Sequence, residues 1–185
     1  MSDIERIRAL LRERQENEAE RGTAYAEVTL RLTLVEELAQ LYAERADLLR
    51  PYEQAQKNAE ADPRLATMPR PDTADLDAKI DAKKAEVKAA TVRFDFRVLT
   101  AAEYGKLLEA HPDADDKLGD RKAFMDDLAR AGLYKVSLGD GDPITDRDQC
   151  LEVFDGVKAD VPFGEWEPVR DTVYALNRRK ISIPF

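Results

Sequence analysis

The sequence predicts a mainly α fold with a minor β part, a strand–helical hairpin–strand unit followed by a small helical half. Three observations carry this. Two segments alternate apolar and polar residues with the two-residue period of a half-buried strand, Val28–Leu32 and Val92–Val98. Between them, apolar residues recur at steps of three and four, as in helices. Beyond Thr100 the helical spacing dominates to the end of the chain. The expected organisation is a charged helical arm at 1–22, a strand–helix–helix–strand unit at 23–98, a C-terminal helical domain at 99–180 and an apolar tail at 181–185.

Residues 2–21 are charged or helix-forming, with Ile4, Ile7, Leu10 and Leu11 as their apolar stripe. Such a stretch fits first an amphipathic helix or frayed tail, with a helix that docks on a partner as the sharper alternative. Gly22 separates this arm from the rest of the chain. In the first alternating segment Val28, Leu30, Leu32 and Leu34 are interleaved with Thr29, Arg31 and Thr33. The period then changes, and Leu34, Leu38, Leu41, Leu48 and Tyr52 take helical steps with Arg45 in the intervening slot. Pro51 is expected to end or kink this helix near Arg50. A second helix is expected from Ala74 to Ala90, with Leu76, Ile80 and Val87 on one face, Lys83 interrupting it, and Asp72 or Thr73 as its cap. Helices over 33–50 and 74–90 would have matched lengths, roughly 27 and 26 Å. Packed antiparallel, they bring the two alternating segments together as a strand pair.

The second alternating segment switches period at one residue. Val92, Phe94, Phe96 and Val98 alternate with Arg93, Asp95 and Arg97; Thr100 and Glu103 then have the spacing of a capping box. Tyr104, Leu107 and Leu108 continue the helix to His111, where Pro112 stops it. A helix is expected over Leu118–Ala131 with Gly132 just past its end, then a short extended piece at Leu133–Leu138 and a turn at Gly139-Asp-Gly-Asp-Pro143. Thr145 is the expected cap of a helix carrying Cys150, Leu151, Val153 and Phe154 and closed by Gly156. Pro162 suits the first turn of a helix through Trp166, Val169, Val173, Tyr174 and Leu176, ending at Arg178-Arg179-Lys180.

Composition bounds the function. A net charge of −9 argues against nucleic-acid binding, which needs clustered Lys and Arg. No apolar run approaches the roughly 20 residues of a bilayer span, and the N-terminus has no hydrophobic signal core. Cys150 is the only cysteine, so a reducing cytoplasm is the expected setting. His111 is the only histidine, which removes a His-based triad or metal cluster. Its expected role is structural, bonding a carbonyl at a helix end, and Cys150 is expected as a buried thiol rather than a nucleophile. The acidic runs 113–116 and 140–148 fail the calcium-loop pattern, since Lys117 and Leu118 stand where a ligand and the required glycine belong. No glycine-rich phosphate loop is present, and adjacent Asp126 and Asp127 face apart on a helix. No enzyme, metal or cofactor is expected.

The strand Val92–Val98, the helix ending in Leu107-Leu108-Glu-Ala-His111-Pro112, the late helix ending in Tyr174-Ala-Leu-Asn-Arg-Arg-Lys180 and the ending Ile181-Ser-Ile-Pro together resemble the tail assembly chaperones of long-tailed phages (siphophages) infecting actinobacteria. The layout covers about 26–185, with the specific wording in 91–112 and 166–184. Asp113 stands where such proteins carry a second proline, Tyr104 replaces a usual tryptophan, and the arm 1–22 is longer. The resemblance implies a non-catalytic chaperone in the host bacterial cytoplasm, absent from the mature virion. It would bind the tape-measure protein and promote tail tube assembly. The tail tube protein, a frameshifted long form of the chain and a homo-oligomer are further candidate partners; nucleic acid and membrane are not. The candidate contact residues are Phe163, Trp166, Ile181, Ile183 and Phe185, because the tail is apolar; pairing of that tail with a sheet edge would explain it as well. The alternative is a structural virion or adaptor protein that oligomerises through its helical hairpin.

Overall fold

The computed structural model describes residues 4–7, 22–58, 67–114 and 118–178. Its fold is mainly α with a small three-stranded antiparallel sheet, as the sequence predicts. In chain order the elements are β1 (Thr23–Thr29), α1 (Leu32–Asn58), α2 (Ala74–Ala89), β2 (Thr91–Arg97), α3 (Ala101–Ala110), α4 (Leu118–Gly132), β3 (Leu133–Leu138), α5 (Arg147–Asp160) and α6 (Phe163–Asn177). They form two compact units, one of residues 1–28 with 92–185 and the other of residues 29–91. The division therefore runs differently from the expected one at 98/99. Both strands group with the C-terminal helices because their apolar face is the wall of that core.

In the larger unit β2 is the central strand, in the order β1-β2-β3. The extended piece at 133–138 is thus a third strand rather than an isolated segment. Phe94 faces Val136 and Phe96 faces Leu133, and the register slips between Asp95 and Phe96. That bulge leaves Tyr134 as the extra residue of β3. It lets Leu133 and Val136, three apart, both point into the core, where both are buried. The opposite face of β2 is ionic: Arg93 donates to Asp95 at 2.8 Å, and Lys135 lies 3.5 Å from the same carboxylate. After the turn the chain adds one rung to β3, with Val136 and Ile144 exchanging backbone bonds of 3.0 and 2.8 Å.

β1 lies earlier than expected. Its inward residues are Ala24, Ala26 and Val28, while Leu30 and Leu32 are exposed. Alanine contributes little to an apolar pattern, so the larger leucines beyond it drew the alternation towards them. Gly22, at φ 75, precedes the strand and accepts a backbone bond from Val98 at 3.2 Å.

Helix α3 starts where predicted. Thr100 Oγ1 accepts from the Glu103 backbone at 3.2 Å, and Glu103 Oε2 accepts from the Thr100 backbone at 2.8 Å, completing the capping box. Glu103 also pairs with Arg97 at 2.8 Å, and these bonds hold its carboxyl down at about 2. Four helix boundaries differ from expectation. Asp146, not Thr145, caps α5 by accepting from Gln149 at 3.0 Å, since Asp146 directly precedes the first helical residue. Gly156 does not close α5, which continues to Asp160 because Val157 is buried on the core face. Gly132 is the last residue of α4, where a Cβ would meet the Arg97 carbonyl at 3.0 Å. Pro162 is the cap residue of α6, immediately outside its first turn.

In the smaller unit α1 and α2 form the expected hairpin. The polar residues in its apolar stripes find partners across it: Arg45 bonds Asp77 at 2.5 Å, and Lys83 bonds Glu37 at 2.8 Å. At the start of α2, Asp72 rather than Thr73 accepts the Ala74 amide, at 3.0 Å. Pro51 does not end α1, which runs on to Asn58. Proline removes the bond to the Asp47 carbonyl, but Asp47, Arg50 and Pro51 are all exposed, so water can satisfy that group. The helices are consequently unequal, at 27 and 16 residues, about 40 and 24 Å.

Candidate functional site

The most elaborate side-chain constellation lies in the larger unit, where α4, α5 and α6 meet. Asp126 sits one residue after the buried Met125 and two before the buried Leu128, so the core face of α4 carries it inward. Arg170 occupies the matching place on α6, one residue after Val169 and four after Trp166. The Asp126 carboxylate accepts from Arg170 Nε at 2.7 Å, Arg170 Nη2 at 2.8 Å and Trp166 Nε1 at 3.0 Å. Lys158 Nζ of α5 lies 2.8 Å from its second oxygen. Burial by itself would raise the Asp126 pKa; the bonds from Arg170, Lys158 and Trp166 outweigh it and hold the carboxyl below its ordinary value. The remaining guanidinium nitrogen, Arg170 Nη1, is buried and has no hydrogen-bond partner among the described residues. The guanidinium carbon lies 5.3 Å from the centre of the Phe163 ring.

Phe163 is the first residue of α6 and half exposed, at 50%. Lys122 Nζ sits 4.2 Å from its ring centre, a cation–π distance. Around this ring opens a cleft of about 160 Å³ bordered by Lys122, Met125, Glu167 and Arg170. It mixes apolar surface with both signs of charge.

His111 and Asp127 form a second polar contact on the other side of α4. His111 Nε2 is 2.8 Å from Asp127, and Nδ1 is 3.4 Å from Asp120. The imidazole therefore ties the end of α3 to α4 through carboxylates, not through the carbonyl expected. A protonated ring can donate from both nitrogens, and the bond to Asp127 above all raises its pKa. A raised folded-state value gives stability that is complete below the ordinary pKa of about 6.5 and is lost as pH rises through the folded value. Thermal melting of the native chain and His111→Gln from pH 5.5 to 8.5 should show a gap that narrows with pH. A constant gap would mean that the ring acts by packing on Phe124 alone.

Cys150 is fully buried, its Sγ 3.3 Å from the Ile144 carbonyl, and burial pushes the thiol up, away from nucleophilic use. Among the described residues no group of three or more His, Cys, Asp or Glu is placed to hold a metal ion. Nor is any helix among them long and apolar enough to cross a membrane.

The contact residues expected from the sequence divide three ways. Phe163 is exposed and borders the cleft. Trp166 is only 2% exposed and is bonded to Asp126, so it is a core residue and offers no surface to a partner. Ile181, Ile183 and Phe185 lie outside the described residues. No family model, curated protein or solved structure matches this chain. Sequence reasoning weighs Asp126 only as a neighbour of Asp127, and passes over Arg170 and Lys158. Their signal was available: an acid on the apolar face of one helix and a base on the apolar face of another each need a buried partner of opposite sign.

Proposed function

We propose that the protein is a non-catalytic tail assembly chaperone of a long-tailed phage, binding the tape-measure protein in the host cytoplasm and promoting tail tube assembly. The observation that carries this reading is the resemblance of residues 91–112 and 166–184 to such chaperones. The described parts of those segments are β2 with its capped helix α3, and α6. Two physical features support it. The chain is strongly acidic, which limits self-aggregation and suits a carrier of an aggregation-prone client. It also displays scattered large apolar side chains, among them Tyr42, Leu108, Leu138 and Phe163, of the kind that can engage an amphipathic client helix.

Co-expression with the tape-measure protein of the same genome tests the proposal. The soluble fraction of the tape-measure protein should rise with the native chain, and fall again with Phe163→Asp or deletion of 181–185. A soluble fraction indifferent to the native chain would sink the reading. The alternative, a structural virion or adaptor protein, is favoured by the exposed apolar side chains Leu32, Val35 and Tyr42 on the hairpin. Mass spectrometry of purified particles separates the two, since a chaperone should be missing from them.

A further inference from the structure

A second cleft of the larger unit, of about 130 Å³, lies between α3, α4 and α6. Its floor is the buried Phe124 of α4, with Tyr104 of α3 edge-on to that ring at 5.7 Å. Leu108 borders it and is 43% exposed. One wall is the ring of Tyr174 on α6, where two guanidiniums from different elements meet. The guanidinium carbon of Arg121, on α4, lies 5.3 Å from the ring centre, and that of Arg178, which follows α6, lies 4.6 Å from it. Among the described residues no carboxylate borders this cleft.

These two arginines are exceptions in their region. Between residues 92 and 178, Arg93, Arg97, Arg130 and Arg170 each pair with a carboxylate. Arg147 donates to the carbonyls of Leu133 and Arg130. The guanidiniums of Arg121 and Arg178 have neither kind of partner among the described residues. Arg121 also borders the Phe163 cleft, but the Glu167 and Asp171 carboxylates there do not bond it. Nor does its helix account for it, since Arg121 lies in the first turn of α4, where a positive charge opposes the helix dipole. The result is a positive spot beside an apolar hole, in a chain of net charge −9.

We propose that this cleft receives an acidic amphipathic helix of a protein partner. One large apolar side chain enters the hole, and a carboxylate one turn away pairs with Arg121 and Arg178. Size and charge both select this occupant. A cavity of about 150 Å³ holds one benzene-sized group, so this one takes a single leucine-sized side chain. On a helix, side chains three or four positions apart stand about 5–6 Å from one another. That matches the spacing between the Tyr174 ring and the two guanidiniums. Guanidinium is also the group best shaped to hold a carboxylate by two parallel bonds. The exposed Leu108 offers a further apolar contact beside the hole. The inference stands apart from the chaperone reading, since any partner with such a helix would fit.

Fluorescence anisotropy of the full chain with a labelled peptide of two Leu-Glu-Glu-Leu-Ala-Glu-Glu repeats tests this, against the same peptide with glutamine for glutamate. At physiological salt the net charge of the chain is screened beyond about 8 Å, so local pairing decides the outcome. The acidic peptide should bind, and the glutamine peptide about tenfold more weakly. Arg121→Gln and Arg178→Gln should each weaken the acidic peptide about threefold and R121Q/R178Q about tenfold, one and two exposed ion pairs being lost. The glutamine peptide should not respond to these variants, and circular dichroism should be unchanged, because both arginines are exposed. Equal affinity for the two peptides, no binding of the acidic one, or indifference to R121Q/R178Q would each overturn the proposal. Binding that appears only after Asp115→Asn and Asp116→Asn would assign the cleft to the chain's own acids. Arginine-dependent binding of inorganic phosphate without the peptide would make it a site for small anions only. Either of these results also overturns the helix as occupant.

Discussion

Replacing Asp126 with alanine should lower the stability of the chain by about 3–5 kcal/mol, the cost of stripping one member from a buried ion pair. Arg170 is the reason. Its side chain is buried, with the residue 9% exposed, and one guanidinium nitrogen has no hydrogen-bond partner among the described residues, so losing Asp126 removes the carboxylate that is hydrogen-bonded to this buried charge. Trp166 Nε1 loses its acceptor in the same step. Lys158 suffers less, because its side chain is 36% exposed and can turn to water. The effect should appear as a lower urea midpoint with an unchanged slope. The double variant D126L/R170M should recover most of the loss, since replacing both members of a buried pair with apolar residues is often neutral. A loss below about 1 kcal/mol for Asp126→Ala would show that water already reaches the guanidinium.

Phe94→Ala should cost a comparable amount, about 3–5 kcal/mol. Phe94 is fully buried on the central strand and stands edge-on to two rings from other elements, Phe154 of α5 at 5.6 Å and Trp166 of α6 at 6.0 Å. Those two rings also meet each other, at 4.9 Å, so the cavity would open at the junction of sheet and helices. Few atoms could move to fill it, because Phe154 and Trp166 hold each other and the indole is also bonded to Asp126. Phe94→Leu should recover part of the loss, and comparison of the two in denaturant titration separates ring contacts from volume. Globular domains have only about 5–15 kcal/mol in total, so Phe94→Ala would leave this unit close to its unfolding threshold at ordinary temperature.

Legibility in the sequence tracked the range of the forces involved. The capping box at Thr100 and Glu103 was readable because both partners lie within one turn. The alternation of β2 was readable because large side chains, Phe94 and Phe96, mark its buried face. The alternation misplaces β1 because its inward residues are partly alanines, and Pro51 suggests an end or a kink because local propensity says nothing about the solvent that can satisfy the Asp47 carbonyl. The third strand was seen as extended but not as paired, since pairing depends on a bulge at Tyr134 that no local pattern announces. Trp166 is among the candidate contact residues that the sequence suggests. Its indole reaches inward instead, to an acid 40 positions away in the chain.

The sequence by itself determined the mainly helical class, the order of the elements, the cap of α3 and the apolar faces of the hairpin. Each of these depends on residues within a turn or two of one another. Only the tertiary structure decided that the strands belong with the C-terminal helices and that Asp126, Lys158, Trp166 and Arg170 converge. The physical reason is that a buried charge or an apolar stripe specifies the chemistry of its partner but not the address. Which partner it meets is set by how the elements pack.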